Sequence, residues 1–249
     1  MDLGLKGRNA AVTGSSQGIG NAIAMALAAE GCNVALSARG KERLDKAVAA
    51  AAAKDVKAIG IVCDLSSSAG CKKFIDEAVA GLGGLDILVN NVGGMVPGTV
   101  DSITDEQWTQ FLNTSLLSYV WATRYAIPHL KKSKGGRILN VSSTSGIWGL
   151  PGQSDYATAK GGLIAFTKSL ALELAPFVQV NCIAPGYIDT EFAGGWPAKE
   201  KQAAADRIPL RRFGTGDDVA ALAVFLAAEA EYLTGQVIVV DGGLMLRGR

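Results

Sequence analysis

Short β-branched runs alternate with longer helix-forming stretches along the whole of this chain, and no other feature constrains the fold as tightly. NAAVTG (9–14), NVALSA (33–38), VKAIGIVCD (56–64), LDILVNN (85–91), GRILNVSS (136–143), VQVNCIAPG (178–186) and QVIVVDGG (236–243) read as strands. Between them lie helical stretches at 20–31, 41–54, 66–83, 105–130, from the YATAK segment to about Ala175, and at 217–229. LDILVNN is apolar without a break, as a strand covered on both faces requires. Strands that alternate with helices of this length pair in parallel, with the helices on both faces. The chain is therefore expected to form a doubly wound α/β sheet of about seven strands. No linker interrupts the rhythm, so residues 1–249 read as one domain. Only 187–213, with Gly194, Gly195 and Pro197, departs from it. That segment follows the carboxyl end of a strand, where ligands bind in such sheets, and is expected to act as a substrate-binding loop or lid.

Composition removes several classes of function. A net charge of +1 carries no nucleic-acid footprint, and KKSK (131–134) reads as a solvated helix end. No apolar run reaches the roughly 18 residues of a membrane span, and the N-terminal stretch lacks a signal-peptide pattern. Cys32, Cys63, Cys71 and Cys182 have no metal-binding spacing and fit a reducing, cytoplasmic setting. His129 is the single histidine, which excludes a Ser-His-Asp triad and a multi-histidine metal centre.

The first strand-to-helix turn is TGSSQGIG (13–20). Glycines let a backbone approach a pyrophosphate, and the helix start offers N–H groups with partial positive charge. Its spacing is G-x-x-x-G-x-G rather than G-x-G-x-x-G. After the second strand comes SARGKERL, with Arg39 where a carboxylate would hold a ribose 2′-hydroxyl. Arginine suits a 2′-phosphate, so NADP(H) is expected to be preferred, with NAD(H) as the alternative.

SDYATAK (154–160) places Tyr156 and Lys160 on one helical face. A phenol with a pKa near 10 is a reluctant proton carrier, and a neighbouring ammonium favours its ionised form. Such a tyrosine can exchange a proton with a carbonyl or alcohol oxygen while hydride moves to or from a nicotinamide.

Together, TGSSQGIG, the CDL at 63–65, NNVG at 90–93, a serine thirteen residues before the tyrosine, YATAK, and PGYIDT at 185–190 resemble the short-chain dehydrogenase/reductase family. The resemblance runs over essentially the whole chain, in the compact single-domain branch, and implies a Rossmann-type fold. It implies that Ser143 orients the substrate oxygen, that Tyr156 is the acid/base, and that Lys160 binds the nicotinamide ribose and lowers the tyrosine pKa. Gly14, Ser16, Gln17, Gly18, Ile19 and Gly20 would cradle the pyrophosphate. Asp64 and Leu65 would lie near the adenine, and Asn91 and Gly93 near the adenosine ribose. Ile188 and Thr190 would lie near the carboxamide, with Pro185 and Gly186 also contacting the cofactor. Ser142 and Ser145 compete with Ser143 on local chemistry, and only the family spacing selects among them.

The sequence also departs from the family. Ser115 stands where an asparagine usually supports a water relay to the lysine, and Asn113 should face about 200° away on a regular helix. Val92 replaces a usual alanine, Gln17 stands where many NADPH-preferring members carry Arg or Lys, and APFVQVN is one residue short. The expected function is interconversion of a ketone and a secondary alcohol, with Met95, Trp148, Tyr187 and Trp196 around the substrate. A 3-oxoacyl thioester reductase is the second reading, and the C-terminal IPLRRFGTGDDVA…YLTGQVIVVDGG resembles that group. A catalytically impaired dinucleotide-binding regulator is a third. The complete Ser143/Tyr156/Lys160 set opposes that one, and only Ser115 favours it. Family members are commonly tetramers, so a homotetramer or homodimer is expected.

Overall fold

The computed structural model describes residues 3–95, 98–190, 195–228 and 230–247. Seven strands, β1 (Asn9–Val12), β2 (Asn33–Ala38), β3 (Ala58–Val62), β4 (Ile87–Asn90), β5 (Gly136–Val141), β6 (Val178–Pro185) and β7 (Val237–Val240), form one parallel sheet. Their order is β3-β2-β1-β4-β5-β6-β7. It reverses between β1 and β4, whose carboxyl ends lie level with Val12 opposite Val89. A crevice at such a reversal is where doubly wound sheets bind ligands.

The helices are α1 (Gly18–Ala29), α2 (Lys41–Ala52), α3 (Ser68–Leu82), α4 (Asp105–Leu112), α5 (Ser118–Leu130), α6 (Ser145–Trp148), α7 (Ser154–Leu174), α8 (Ala198–Arg207) and α9 (Gly216–Ala228). On one face of the sheet Val12, Leu36, Val89 and Ile183 pack with Ile23 and Leu27 of α1 and Val219 and Leu226 of α9. On the other, Leu88, Ile138 and Val180 pack with Phe74 of α3, Ala126 of α5 and Leu170 of α7. Every residue of β4 and β5 is buried, Asn90, Arg137 and Asn140 included, as central strands covered on both faces require.

Four elements differ from the sequence expectation. The helix expected over 105–130 is interrupted by a π-helical turn, Asn113–Leu117. Hydroxyls compete for backbone there: Thr114 Oγ1 donates to the Gln110 carbonyl at 3.0 Å and Ser118 Oγ to the Thr114 carbonyl at 2.6 Å. The irregular segment 187–213 contains α8, whose AKEKQAAADR is rich in strong helix formers. Residues 191–194 of that segment, and Glu229 at the expected end of the last helix, lie outside the described residues. The short α6 and a 3₁₀ turn at Leu244–Arg247 were not anticipated either.

Candidate active site

The glycine turn is pressed against the end of β4. Gly14 adopts φ +60°, and a Cβ there would sit 3.0 Å from Val92 Cα. A Cβ on Gly20 would collide with the Asn91 amide and come within 2.6 Å of the Gly14 carbonyl oxygen. Only glycine permits that approach. Asn91 Nδ2 donates to the Thr13 and Gly14 carbonyls, each at 3.1 Å, while the Asn91 N–H reaches Thr13 Oγ1 at 2.8 Å. The side-chain donors of Asn91 thus brace the turn.

Some helix starts are capped by side chains, while others, α1 at the crevice among them, are not. Ser67 caps α3 by accepting from the Gly70 N–H, and Thr104 with Gln107 forms a capping box on α4. Gln17, at the start of α1, makes no capping bond, and the first turn holds no acidic residue. Its first-turn N–H groups therefore lack a side-chain acceptor at the crevice, a cradle suited to a pyrophosphate. Ser16, Gly18 and Ile19 are half-buried in that turn, with Gly20 buried beneath. The Gln17 side chain accepts from Arg43 of α2, a cation the sequence reading passed over. Arg39 is exposed just beyond β2. Asp64 is held below the usual carboxylate range chiefly by the Ser66 N–H at 3.0 Å and also by the Arg39 charge. Leu65 is buried beside it. These groups fit a phosphorylated dinucleotide.

The second half of the crevice holds Ser143, Tyr156 and Lys160, brought together from β5, α7 and the link through α6. The three serines separate by their bonds. Ser142 Oγ donates to the Lys160 carbonyl at 2.7 Å, and Ser145 Oγ donates to Gln153 Oε1 at 3.1 Å. Ser143 Oγ accepts the Ser145 N–H at 3.1 Å, and of the three serines it alone bears on the Tyr156 phenol, pulling its pKa down. Geometry thus puts Ser143, and neither neighbour, against the phenol.

Tyr156 is half-buried, with the Phe111 ring 6.4 Å away. Burial raises its pKa above the ordinary phenol value, and the Ser143 hydrogen bond pulls it back. The lowering expected from Lys160 is not what governs Tyr156 in the chain itself. Lys160 is 4% exposed, and burial brings its own pKa down to about 8. Its Nζ donates to the Val141 carbonyl at 2.8 Å and to Tyr119 Oη at 3.3 Å, and lies 5.7 Å from the Tyr156 ring centroid.

Ser115 is fully buried in the π turn, yet its hydroxyl has no hydrogen-bond partner among the described residues. Asn113 faces elsewhere, lining a cleft of about 350 Å³ with Ser66, Asp105, Glu106, Thr109 and Gln110.

A buried polar ladder underlies this half. Asn90 Nδ2 donates to Thr123 Oγ1 at 3.1 Å and to Asn140 Oδ1 at 2.9 Å, and Asn140 Nδ2 donates to Thr167 Oγ1 at 2.9 Å. It ties α5, β4, β5 and α7 together. No local sequence signal marks it, because its members are paired by strand register, with Asn90 opposite Asn140.

Above the crevice, Pro185 accepts the Thr144 N–H at 2.9 Å, and the Gly186 N–H reaches the Val240 carbonyl at 2.9 Å. Ile188 is buried and bridges to Gly214, with Thr190 half-buried beyond it. Tyr187 and Trp196 meet at 5.6 Å between ring centroids, and both contact Phe213, at 5.4 and 6.0 Å. Phe213 was missed from sequence. Met95 is half-buried on the loop after β4, where Gly93 is exposed, and Trp148 is half-buried on α6.

Among the described residues no group of acidic, cysteine and histidine side chains could hold a metal ion, and no helix is long and apolar enough to cross a membrane. A family model described as Enoyl-(Acyl carrier protein) reductase matches residues 14–245. The 3-oxoacyl-[acyl-carrier-protein] reductase of Aquifex aeolicus is 41% identical over 98% of this chain and 100% of its own. That of Thermotoga maritima is 38% identical over 97% and 99%. Nodulation protein G of a Rhizobium species is 40% identical over 97% and 98%. A crystal structure assigned to a short-chain alcohol dehydrogenase of Sinorhizobium meliloti superposes with a TM-score of 0.93 at 36% identity, covering 97% of each chain.

Proposed function

The chain belongs to the short-chain dehydrogenase/reductase family, and from that membership we propose that it interconverts a ketone and a secondary alcohol with NADP(H), Tyr156 serving as acid/base. As a family member it is an oxidoreductase of CH–OH and C=O groups that uses a nicotinamide dinucleotide. The carrying observation is the meeting of Ser143, Tyr156 and Lys160 in one half of the crevice, with Lys160 Nζ 5.7 Å from the Tyr156 ring centroid and Ser143 lowering the phenol pKa. A 3-oxoacyl thioester is the proposed substrate, because relatives near 40% identity over almost their full length carry that activity in their names.

A dinucleotide held at the glycine turn would supply hydride to the carbonyl carbon in reduction and accept it from the alcohol in oxidation. The chain's own residues do the rest. Ser143 donates a hydrogen bond to the substrate oxygen and orients it. Tyr156 Oη delivers its proton to that oxygen in reduction and takes it back in oxidation. Lys160 holds the nicotinamide ribose, and its charge favours the phenolate. Gly14 to Gly20 hold the pyrophosphate, while Arg39, with Arg43 beside Gln17, receives the 2′-phosphate. Asp64 and Leu65 border the adenine, and Ile188 and Thr190 border the carboxamide, with Pro185 and Gly186 also contacting the cofactor. Residues 187–213 form the lid. A cytoplasmic homotetramer completes the reading, and size-exclusion chromatography with light scattering tests the assembly.

Oxidation of NADPH and NADH with acetoacetyl-CoA, against a panel of aliphatic and aryl ketones, tests the proposal. Turnover of the thioester with NADPH is expected, with Arg39→Asp reversing the cofactor preference. A clear preference for NADH in the unaltered enzyme overturns the NADP(H) assignment. Turnover confined to hydrophobic ketones would favour a second reading, supported by the Tyr187–Trp196–Phe213 trio. Tight NADPH binding with no turnover across the panel would point to a regulator.

A further inference from the structure

Where the family places an asparagine, this chain has a serine that bonds to nothing among the described residues, so the lysine must be held in another way. We infer that Tyr119 of α5 is the positioning residue for Lys160, its hydroxyl anchoring the ammonium from the opposite wall. The inference rests on the reading of Tyr156 and Lys160 as the acid/base pair.

Three bonds close a triangle. Lys160 Nζ donates to Tyr119 Oη at 3.3 Å and to the Val141 carbonyl at 2.8 Å, and Tyr119 Oη donates to the same carbonyl at 3.1 Å. The Tyr119 ring also faces the ammonium, with its centroid 5.3 Å from Nζ. Tyr119 is wholly buried, so water does not compete for its hydroxyl. An ammonium has three donors, and this arrangement uses two, leaving one for a ribose hydroxyl. Ser115 Oγ and Lys160 Nζ each lie 3.6 Å from the point a Cβ on Gly93 would occupy, so the two line one small space. The serine hydroxyl makes no bond across it. The π turn places both walls, burying Ser115 immediately ahead of the helix that carries Tyr119.

Groups facing the lysine are few: Tyr119 from α5, Tyr156 from its own helix, and the Cys182 thiol from β6, which burial pushes up to about 11. None carries a charge at neutral pH that would replace the lost bond. Burial lowers the Lys160 pKa, and the Tyr119 hydroxyl opposes that by bonding the charged form. Removing it strands a buried N–H. The lysine pKa falls further, so less of its charge is left to favour the phenolate once a dinucleotide is bound.

The test is Tyr119→Phe, which keeps the ring and deletes the hydroxyl. In the cofactor-free protein, the Lys160 amine is titrated by NMR with labelled lysine, its signal identified by loss in Lys160→Arg. A downward shift of about one pH unit is expected, the scale of one hydrogen bond to a charged group. In the cofactor complex, where the ammonium favours the phenolate, the acidic limb of kcat/KM for alcohol oxidation should move up as well, and the melting temperature should drop modestly for the stranded donor. An unmoved Lys160 titration in the folded variant overturns the inference. If Tyr119→Phe fails to fold, Tyr119→Met is judged by the same two readouts. Tyr156→Phe is measured in parallel: if it keeps near-normal turnover, the acid/base reading fails, while the lysine titration still decides the role of Tyr119.

Discussion

The floor of the crevice and the segment above it are built in opposite ways. Beneath Tyr156, side chains are buried and joined: Asn90, Asn140, Thr123 and Thr167 form a ladder, and Lys160 is held by Tyr119 and Val141. Above it, Trp196 is 41% exposed, and charged groups pair near the surface, Lys201 with Asp189 and Arg212 with Asp218. Low-dielectric surroundings make each floor hydrogen bond count and each unpaired group costly, whereas water screens the upper pairs. The contrast divides the work. Proton chemistry needs a fixed geometry, and choice of substrate needs a surface that can change without loosening it.

Perturbing the two regions should separate these roles. Tyr156→Phe should lower turnover by about 10²–10⁴-fold with little change in folding, read by steady-state kinetics and thermal melting. Asn140→Ala should destabilise by about 3 kcal/mol in urea unfolding, because it strands buried groups on Asn90 and Thr167 together. Lys160→Met tests the buried charge through pH. The lysine takes up a proton below about 8 when folded, but below about 10.5 when unfolded. Between those values the unfolded chain binds more protons, so the lysine's contribution to stability rises with pH across that window. The melting temperature of Lys160→Met relative to the unaltered chain should accordingly be highest at pH 7 and fall towards pH 10.

On the upper side, Trp196→Ala should raise KM for the substrate about five-fold, while kcat stays within about two-fold and stability within about 1 kcal/mol. A collapse of kcat instead would break the division between floor and lid. Lys201→Ala should be smallest of all, within about 0.5 kcal/mol by denaturant unfolding, since its ion pair with Asp189 is partly exposed.

The parts legible from sequence were those whose geometry is local. Tyr156 and Lys160 are four apart on one helix, and Gly14 to Gly20 lie within one turn, so spacing alone places them. Arg39 follows directly from the end of β2. The parts that escaped depend on which distant element comes alongside. Tyr119 meets Lys160 across 41 residues of chain, and a π turn alters the helix phase that a regular period would assign. Arg43 finds Gln17 from the next helix. Phe213 joins Tyr187 only because the chain folds back through a bridge between Ile188 and Gly214. The bracing bonds of Asn91 escaped for a related reason: a residue type is visible in sequence, but the carbonyls that claim its donors are not.

By itself, then, the sequence determined the parallel sheet, the glycine cradle and the tyrosine–lysine pair, because periodicity and short spacings act within one element or one connection. The tertiary structure decided which of three serines meets the phenol, what holds the lysine where the asparagine is missing, and which aromatics gather above the crevice. Those choices are made by hydrogen-bond partners and ring contacts that only strand register and helix packing bring within reach.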